Sequence, residues 1–316
     1  MFLSELFSAC LVHGYTPLCI LKGIINPLVK NQYDDICNSS NYRPIMMSSV
    51  LLKLFEYCIL NIIKKDIKIN DRQHGYREKY SVGTACLTLK ETIYEYNLHD
   101  SNVYASFIDI SKAFDSVDHG ILINKLLKQN IPKIYINLIK FWYSNQFVNV
   151  RFGYKLSNEW KICNGVRQGG ILSGLLFNLY IDSVLEKIVD SNMGCKIGIF
   201  MSNVIAYADD IVLLAPSAFC LQKLINILYF ELINIKLKVN LSKTKCMLFS
   251  ASKIKTYFNT TCLRIDDQQI EYVISIRYLG MLIQNDMRNI DVIKNLRLIY
   301  LVRNGLVRLS CSSIIN

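Results

Sequence analysis

The 316-residue sequence carries little that would interrupt regular structure: five prolines, fourteen glycines, no low-complexity linker and no internal repeat. It therefore predicts a chain that is compact throughout. No Cys-x-x-Cys pair occurs among its eleven cysteines, and their number is odd. Zinc sites and a disulfide framework both fail on that spacing. Reduced core thiols, as in the cytosol or nucleus, are expected instead. No run of about 18 uncharged apolar residues is present, so no transmembrane helix is expected. The opening residues include Glu5, His13 and Lys22. They lack the basic start and small-residue cleavage site of a signal peptide. Positive charges are scattered, so no nuclear-localisation block or basic tail stands out.

What is present is hydrophobic and basic. Hydrophobic residues make up 52% of the chain, which excludes a disordered protein. The length allows a large core and more than one subdomain. Lys plus Arg is 36 against 25 acids, a net charge of +11, which suits a polyanionic partner such as nucleic acid or an acidic membrane surface. Residues 48–69 have helical periodicity, with Leu51, Leu54, Phe55, Cys58, Ile59 and Ile62 on one side. Further helices are expected at 84–96, 120–130, 134–144, 173–190 and 218–236. Strands are expected at 103–110, 147–151, 160–163, 245–249, 262–265 and 270–283. Residues 1–30 read as helical, then irregular around Pro17 and Pro27. That order fits an α+β fold, an antiparallel sheet with helices on one face.

Three sites break this apolar pattern. Asp209 and Asp210 interrupt a Val/Ile/Leu-rich run at 203–214. Two buried strands turning at the pair would hold both charges at a rigid tip. Such a pair repels itself, and a divalent cation between the oxygens relieves the repulsion. A plain Asp-containing turn is the simpler reading of the pair alone. Asp109 interrupts a second β-like run, Phe107-Ile108-Asp109-Ile110. If the two strands are neighbours, Asp109 and Asp209 could hold two Mg²⁺ ions about 3.5–4 Å apart, the spacing used for in-line displacement at phosphorus. The third site is the glycine-rich stretch Gly165-Val166-Arg167-Gln168-Gly169-Gly170, followed by Ser173 as a candidate N-cap.

Taken in order, these sites resemble the reverse transcriptases of non-LTR (LINE-type) retrotransposons. Asn41-Tyr42-Arg43-Pro44-Ile45 with Lys53-Leu54-Phe55-Glu56 is similar to the family's first fingers motif, and Gln73-His74-Gly75-Tyr76-Arg77 to its second. Residues 107–118 resemble the motif bearing the first metal-binding aspartate, and 165–177 the template- and nucleotide-contacting loop and helix. Tyr207-Ala208-Asp209-Asp210 matches the catalytic hairpin. Residues 237–245, with Asn240 and Ser242-Lys243-Thr244-Lys245, resemble the next motif, and Tyr278-Leu279-Gly280 the primer-gripping strand. Each motif is modest alone; seven in order are specific.

The resemblance implies a right-hand polymerase fold and an RNA-directed DNA polymerase that extends a primer 3′-hydroxyl with dNTPs. Asp109 and Asp209 would be the main metal ligands, Asp210 a supporting carboxylate, and the Ile110 carbonyl a further ligand. The cofactor would be two Mg²⁺ ions, with Mn²⁺ as substitute. Phe114 would exclude a ribose 2′-hydroxyl. Gln168 would contact the incoming nucleotide, and Gly169 would let it approach the backbone. Arg43 and Lys53 would offset triphosphate charge, Lys243 would protonate the departing pyrophosphate with Lys245 as its rival, and Tyr207 would pack near the primer end. Asp115 and Asp118 read as helix N-terminal charges, and His119 as a surface residue. Expected partners are an RNA template, a DNA primer or target and dNTPs, with no membrane, in the nucleus and/or cytoplasm.

Fingers are expected over 1–100, a palm over 101–284 with a finger-like insertion at about 134–163, and the start of a clipped thumb over 285–316. The chain departs from the family at Ser173-Gly174, where Ser-Pro is usual. Glycine there costs about 1 kcal/mol of helix stability. Alternative readings are a decayed remnant that binds nucleic acid without polymerising, and a group II intron or telomerase enzyme. The runs at 114–119 and 242–245 favour the LINE type.

Overall fold

A computed structural model describes residues 2–33, 35–251 and 261–286. The chain divides into two compact units. The first comprises residues 1–69, 112–183 and 234–237, the second residues 70–111, 184–233 and 238–316.

The second unit is built on a five-stranded sheet. Its order is Glu271–Tyr272, Lys245–Phe249, Val103–Ile108, Asp210–Ala215 and Val204–Tyr207. The four strands from Lys245–Phe249 onward pair antiparallel, and Glu271–Tyr272 adds parallel at one edge. Alternation along the strands decides the faces. Val103, Ala105, Phe107, Val212, Leu214, Met247 and Phe249 turn one way and form a core with Leu89 and Ile93 of helix Val82–Leu98. Burying each large side chain of this kind contributes about 1.5–3 kcal/mol. That helix begins in a capping box: Ser81 accepts from the Thr84 N–H at 3.3 Å, and the Thr84 hydroxyl accepts from the Ser81 N–H at 2.9 Å. Helix Ala218–Asn234 buries Leu221, Leu224, Ile225, Leu228 and Leu232, the three-and-four spacing of an apolar stripe.

In the first unit, strand Gly23–Val29 pairs antiparallel with Tyr42–Ser48 and, through Gly23 to Ile25, parallel with Phe147–Phe152. Both sheets are therefore mixed rather than purely antiparallel. Helix Val50–Ile63 is capped by Ser49 and buries Leu52, Phe55, Ile59 and Ile63. Fully buried Trp142 packs its ring 5.2 Å from that of Phe55 and donates its indole N–H to Thr16 at 2.8 Å.

The expected helices are present, most within two or three residues at each end, although the one expected over 48–69 ends at Ile63. Several strands differ from expectation: the two-residue pieces Lys155–Leu156, Lys196–Ile197, Phe200–Met201 and Gln268–Gln269, and two long ones. Gly23–Val29 and Tyr42–Ser48 contain Pro27 and Pro44, which face each other in register. Proline lacks the ladder donor and argues against a strand. Pro27 is tolerated because the parallel pairing to 148–150 has already ended at Ile25. The expected 270–283 strand is three short pieces, Glu271–Tyr272, Ser275–Tyr278 and Met281–Gln284. Apart from Asn285 and Asp286, the segment read as the start of a thumb lies outside the described residues. Among the described residues, no helix is long and apolar enough to cross a membrane.

Candidate active site

Strands Val204–Tyr207 and Asp210–Ala215 meet in a two-residue loop, Ala208-Asp209, with Tyr207 directly opposite Asp210. Ala208 has φ +55° and Asp209 is not in the left-handed region. That sign pattern belongs to a type II′ hairpin, whose twist suits paired strands. Asp209 is half-buried at the tip, and Asp210 opens the returning strand with an exposed side chain.

Asp109 follows the neighbouring strand, which pairs Ile108 with Ile211. Residues 238–244 fix it from the other side. Its N–H donates to the Thr244 hydroxyl at 3.3 Å, and its carbonyl accepts from the Asn240 N–H at 2.8 Å. The Ser111 N–H donates to the Lys238 carbonyl at 2.8 Å, so Ile110 and Val239 form a non-hydrogen-bonded antiparallel pair. In such a pair the backbone groups point away from the partner strand. The Ile110 carbonyl is thus turned away from residues 238–240, as a metal ligand would require.

The Asp209 and Asp210 carboxyls both feel the charge on Asp109. Burial raises the Asp209 carboxyl above its ordinary value, and the Asp109 charge raises it further. Asp210 is pushed up to about 6, chiefly by burial, then by Asp209 and Asp109. A hard divalent cation fits this all-oxygen donor set, because its charge would offset both the burial of these carboxylates and the repulsion among them. Among the described residues, no three acidic, histidine or cysteine side chains stand gathered so as to hold a metal ion.

Lys245 is engaged: its ammonium donates to the Glu271 carboxylate at 2.6 Å and to the Ser242 carbonyl at 2.7 Å. Lys243 is exposed and has no such partner among the described residues. Of the two rivals, Lys243 has its ammonium available.

The other predicted residues belong to the first unit. The Gln168 amide donates to the Asp115 carboxylate at 2.7 Å, and its carbonyl accepts from the Met46 N–H at 2.9 Å. Asp115 therefore orients Gln168 from the first turn of the short 3-10 helix Phe114–Ser116, a helix N-terminal charge as expected. Burial raises its carboxyl, and the bond from Gln168 partly offsets that. Asp118 is the N-cap of helix His119–Leu127, accepting from the Ile121 N–H at 2.9 Å, as expected. His119 is not a plain surface residue: Nε2 lies 2.8 Å from the Gly165 carbonyl, and the ring sits beside Tyr143. Gly169 has φ +105°, and a Cβ there would come within 3.1 Å of the Met46 carbonyl, so only glycine fits. Phe114 is half-buried and stacks on Phe177 at 4.6 Å.

The loop hangs on a buried ion pair that the sequence reading missed. Glu56 accepts from Arg167 at 2.5 Å and from the Ile171 N–H at 2.7 Å. Glu56 and Arg167 are almost wholly buried. Two further Arg167 nitrogens lack partners among the described residues, and the guanidinium lies against the Tyr143 ring. Arg43 is exposed on the Met46 strand, and half-buried Lys53 shares its helix with Glu56. Both therefore sit on elements that hold the loop. Ser173 is the first helical residue, and its hydroxyl donates back to the Arg167 carbonyl at 2.6 Å instead of capping.

Residues 29–283 match the family described as reverse transcriptase (RNA-dependent DNA polymerase). The chain is 30% identical over 223 residues to a retrovirus-related Pol polyprotein from type-1 retrotransposable element R2 of Nasonia vitripennis, covering 70% of this chain and 21% of that protein. It is 29% identical over 203 residues to the type-2 element R2DM polyprotein of Drosophila melanogaster, covering 64% and 19%. The chain thus spans about a fifth of the length of these relatives. In fold it is similar to apo telomerase from Candida tropicalis, with TM-score 0.56 and 13% identity, covering 89% of this chain and 52% of that one.

Proposed function

The chain belongs to the reverse transcriptase family, and on that premise we propose that it extends a primer 3′-hydroxyl with dNTPs on an RNA template, as part of a non-LTR retrotransposon protein. The observation that carries this reading is the strand register, Ile108 opposite Ile211 and Tyr207 opposite Asp210, which sets Asp109 beside the Asp209-Asp210 tip. Burial first, and then the neighbouring acids, raises Asp209 and Asp210. Asp109 and Asp209, with Asp210 and the Ile110 carbonyl in support, would hold Mg²⁺ or Mn²⁺. Two bound ions would activate the primer hydroxyl and stabilise charge on the attacking and leaving oxygens. The strand hairpin and the 238–244 segment keep these ligands from moving during the reaction.

Lys243 delivers the proton to the departing pyrophosphate. Gln168, its amide oriented by Asp115, contacts the incoming nucleotide, and Gly169 permits close approach to its backbone. The Phe114 ring, backed by Phe177, clashes with a ribose 2′-hydroxyl and so selects dNTPs. Arg43 and Lys53 offset the triphosphate charge. The net charge of +11 supports binding of the RNA template and DNA primer through phosphates, which makes affinity fall with salt.

Primer extension on an RNA template with Mg²⁺ tests the proposal. The wild-type chain extends, and Asp209→Asn loses on the order of a thousandfold, about 4 kcal/mol of barrier. Salt-sensitive RNA binding without any extension by the wild type would instead identify a nucleic-acid-binding remnant.

A further inference from the structure

The acidic tip has a local conformational problem. Ala208 occupies a left-handed position at φ +55°, where the type II′ turn favours glycine. Such a position is disfavoured for a residue with a Cβ. Ala208 is also buried, and its N–H and carbonyl lie outside the strand ladder. A buried peptide without partners would add a further penalty.

Gln73 answers both difficulties. It is fully buried, and its side-chain amide brackets the Ala208 residue. Oε1 accepts from the Ala208 N–H at 2.8 Å, and Nε2 donates to the Ala208 carbonyl at 3.3 Å. Oε1 also accepts from the Gly75 N–H at 2.9 Å, which fixes which end of the amide faces which group. Gly75 must be glycine for this approach, because a Cβ there would stand 2.6 Å from the Ala208 nitrogen. The Gln73 backbone is itself held. It bridges Ala206 in parallel, flanked by Ala206 N–H to Arg72 carbonyl at 2.9 Å and His74 N–H to Ala206 carbonyl at 2.7 Å. Arg77 donates to the Gln73 carbonyl at 3.1 Å.

We infer that Gln73 is a positioning residue for the acidic tip: its amide holds Ala208 in the left-handed conformation that presents Asp209 and Asp210 to divalent cations. This rests on the metal-site reading proposed above. A neutral amide suits the task because it both donates and accepts without adding charge. A carboxylate would deepen the repulsion among Asp109, Asp209 and Asp210, and a cationic side chain would compete with the metal.

Two readouts on the whole chain decide the matter: exchange of the Ala208 amide hydrogen in metal-free protein, and Mn²⁺ binding followed by electron paramagnetic resonance. Gln73→Met is nearly isosteric and makes none of the bonds. It is expected to speed Ala208 exchange about tenfold or more and to weaken Mn²⁺ binding about tenfold, with the urea unfolding midpoint little changed. Should Gln73→Met fail to fold, Gln73→Asn serves, since its amide is one methylene too short to bracket Ala208. Wild-type Mn²⁺ binding that Asp209→Asn does not weaken overturns the metal reading and the inference with it. Asp209-dependent Mn²⁺ binding and Ala208 exchange that the Gln73 variant leaves unchanged overturn the inference alone.

Discussion

The acidic tip at 207–210 and the glycine-rich loop at 165–170 both leave regular structure to present polar side chains, and they are anchored by different chemistry. The tip is contacted by a neutral group, the Gln73 amide; behind it stand His74, whose Nδ1 is 3.0 Å from the Thr84 hydroxyl, and Arg77, which donates to the Gln73 carbonyl away from the acids. The loop hangs from charge, the buried Glu56–Arg167 pair. The difference follows from what each region displays. Three carboxylates already repel one another at the tip, so a charged support there would worsen the repulsion or compensate it before a metal could. The loop displays an amide and a bare backbone, so a charged anchor beneath it disturbs nothing. The cost lies elsewhere: a buried ion pair is secure only while both partners are present.

Breaking the charged anchor has the largest expected effect on stability. Glu56→Ala strands the Arg167 guanidinium and costs about 3–5 kcal/mol in urea unfolding. A double replacement with apolar residues of similar volume recovers most of that. If the single change costs as little as a surface pair, the contrast between the two supports collapses.

The neutral anchor breaks with acid instead. Burial, helped by Arg77 and Arg72, pushes His74 down to about 4. Below pH 6.5 the unfolded chain takes up a proton that the folded chain refuses. Stability is therefore full above about 6.5 and falls as pH drops toward 4, by up to about 3 kcal/mol. Equilibrium unfolding across that range should show the slope, and His74→Gln should remove it. A slope of the same size in both proteins would place its origin elsewhere.

The smallest expected effect sharpens the comparison at the tip itself. With Asp210 raised to about 6, its penalty on the metal-free fold is complete above that pH and absent below about 4. Asp210→Asn should thus stabilise the metal-free protein at pH 7.5 and do nothing at pH 4. Protein crowds this carboxylate, yet Asp210 is exposed by surface area. Water screens its open face, so the gain should stay below about 1 kcal/mol. With Mn²⁺ added, the sign should reverse, because the variant loses a ligand. Melting temperatures with and without metal check both halves.

Much of this was legible in the residues. Helix Ser173–Asp190 and strand Val103–Ile108 follow from periodicity, and the three aspartates announce themselves as charges inside apolar runs. The paired strands holding Pro27 and Pro44 were not legible, because their tolerance depends on where a parallel neighbour stops pairing. Nor were the roles of Gln73, Glu56 and Asp115. Each acts through contacts to residues far along the chain, and no period or spacing encodes such contacts. The quoted motifs contained all three residues, and only the fold shows what each one touches.

Iron-directed cleavage tests the central claim most directly. Fe²⁺ can take the place of Mg²⁺ among oxygen ligands, and with ascorbate and peroxide it releases hydroxyl radicals that cut nearby backbone. The account predicts cuts around residues 109–110 and 207–210, suppressed by excess Mg²⁺ and lost in Asp209→Asn. Cleavage that spares both segments, or that persists unchanged in Asp209→Asn, would contradict it.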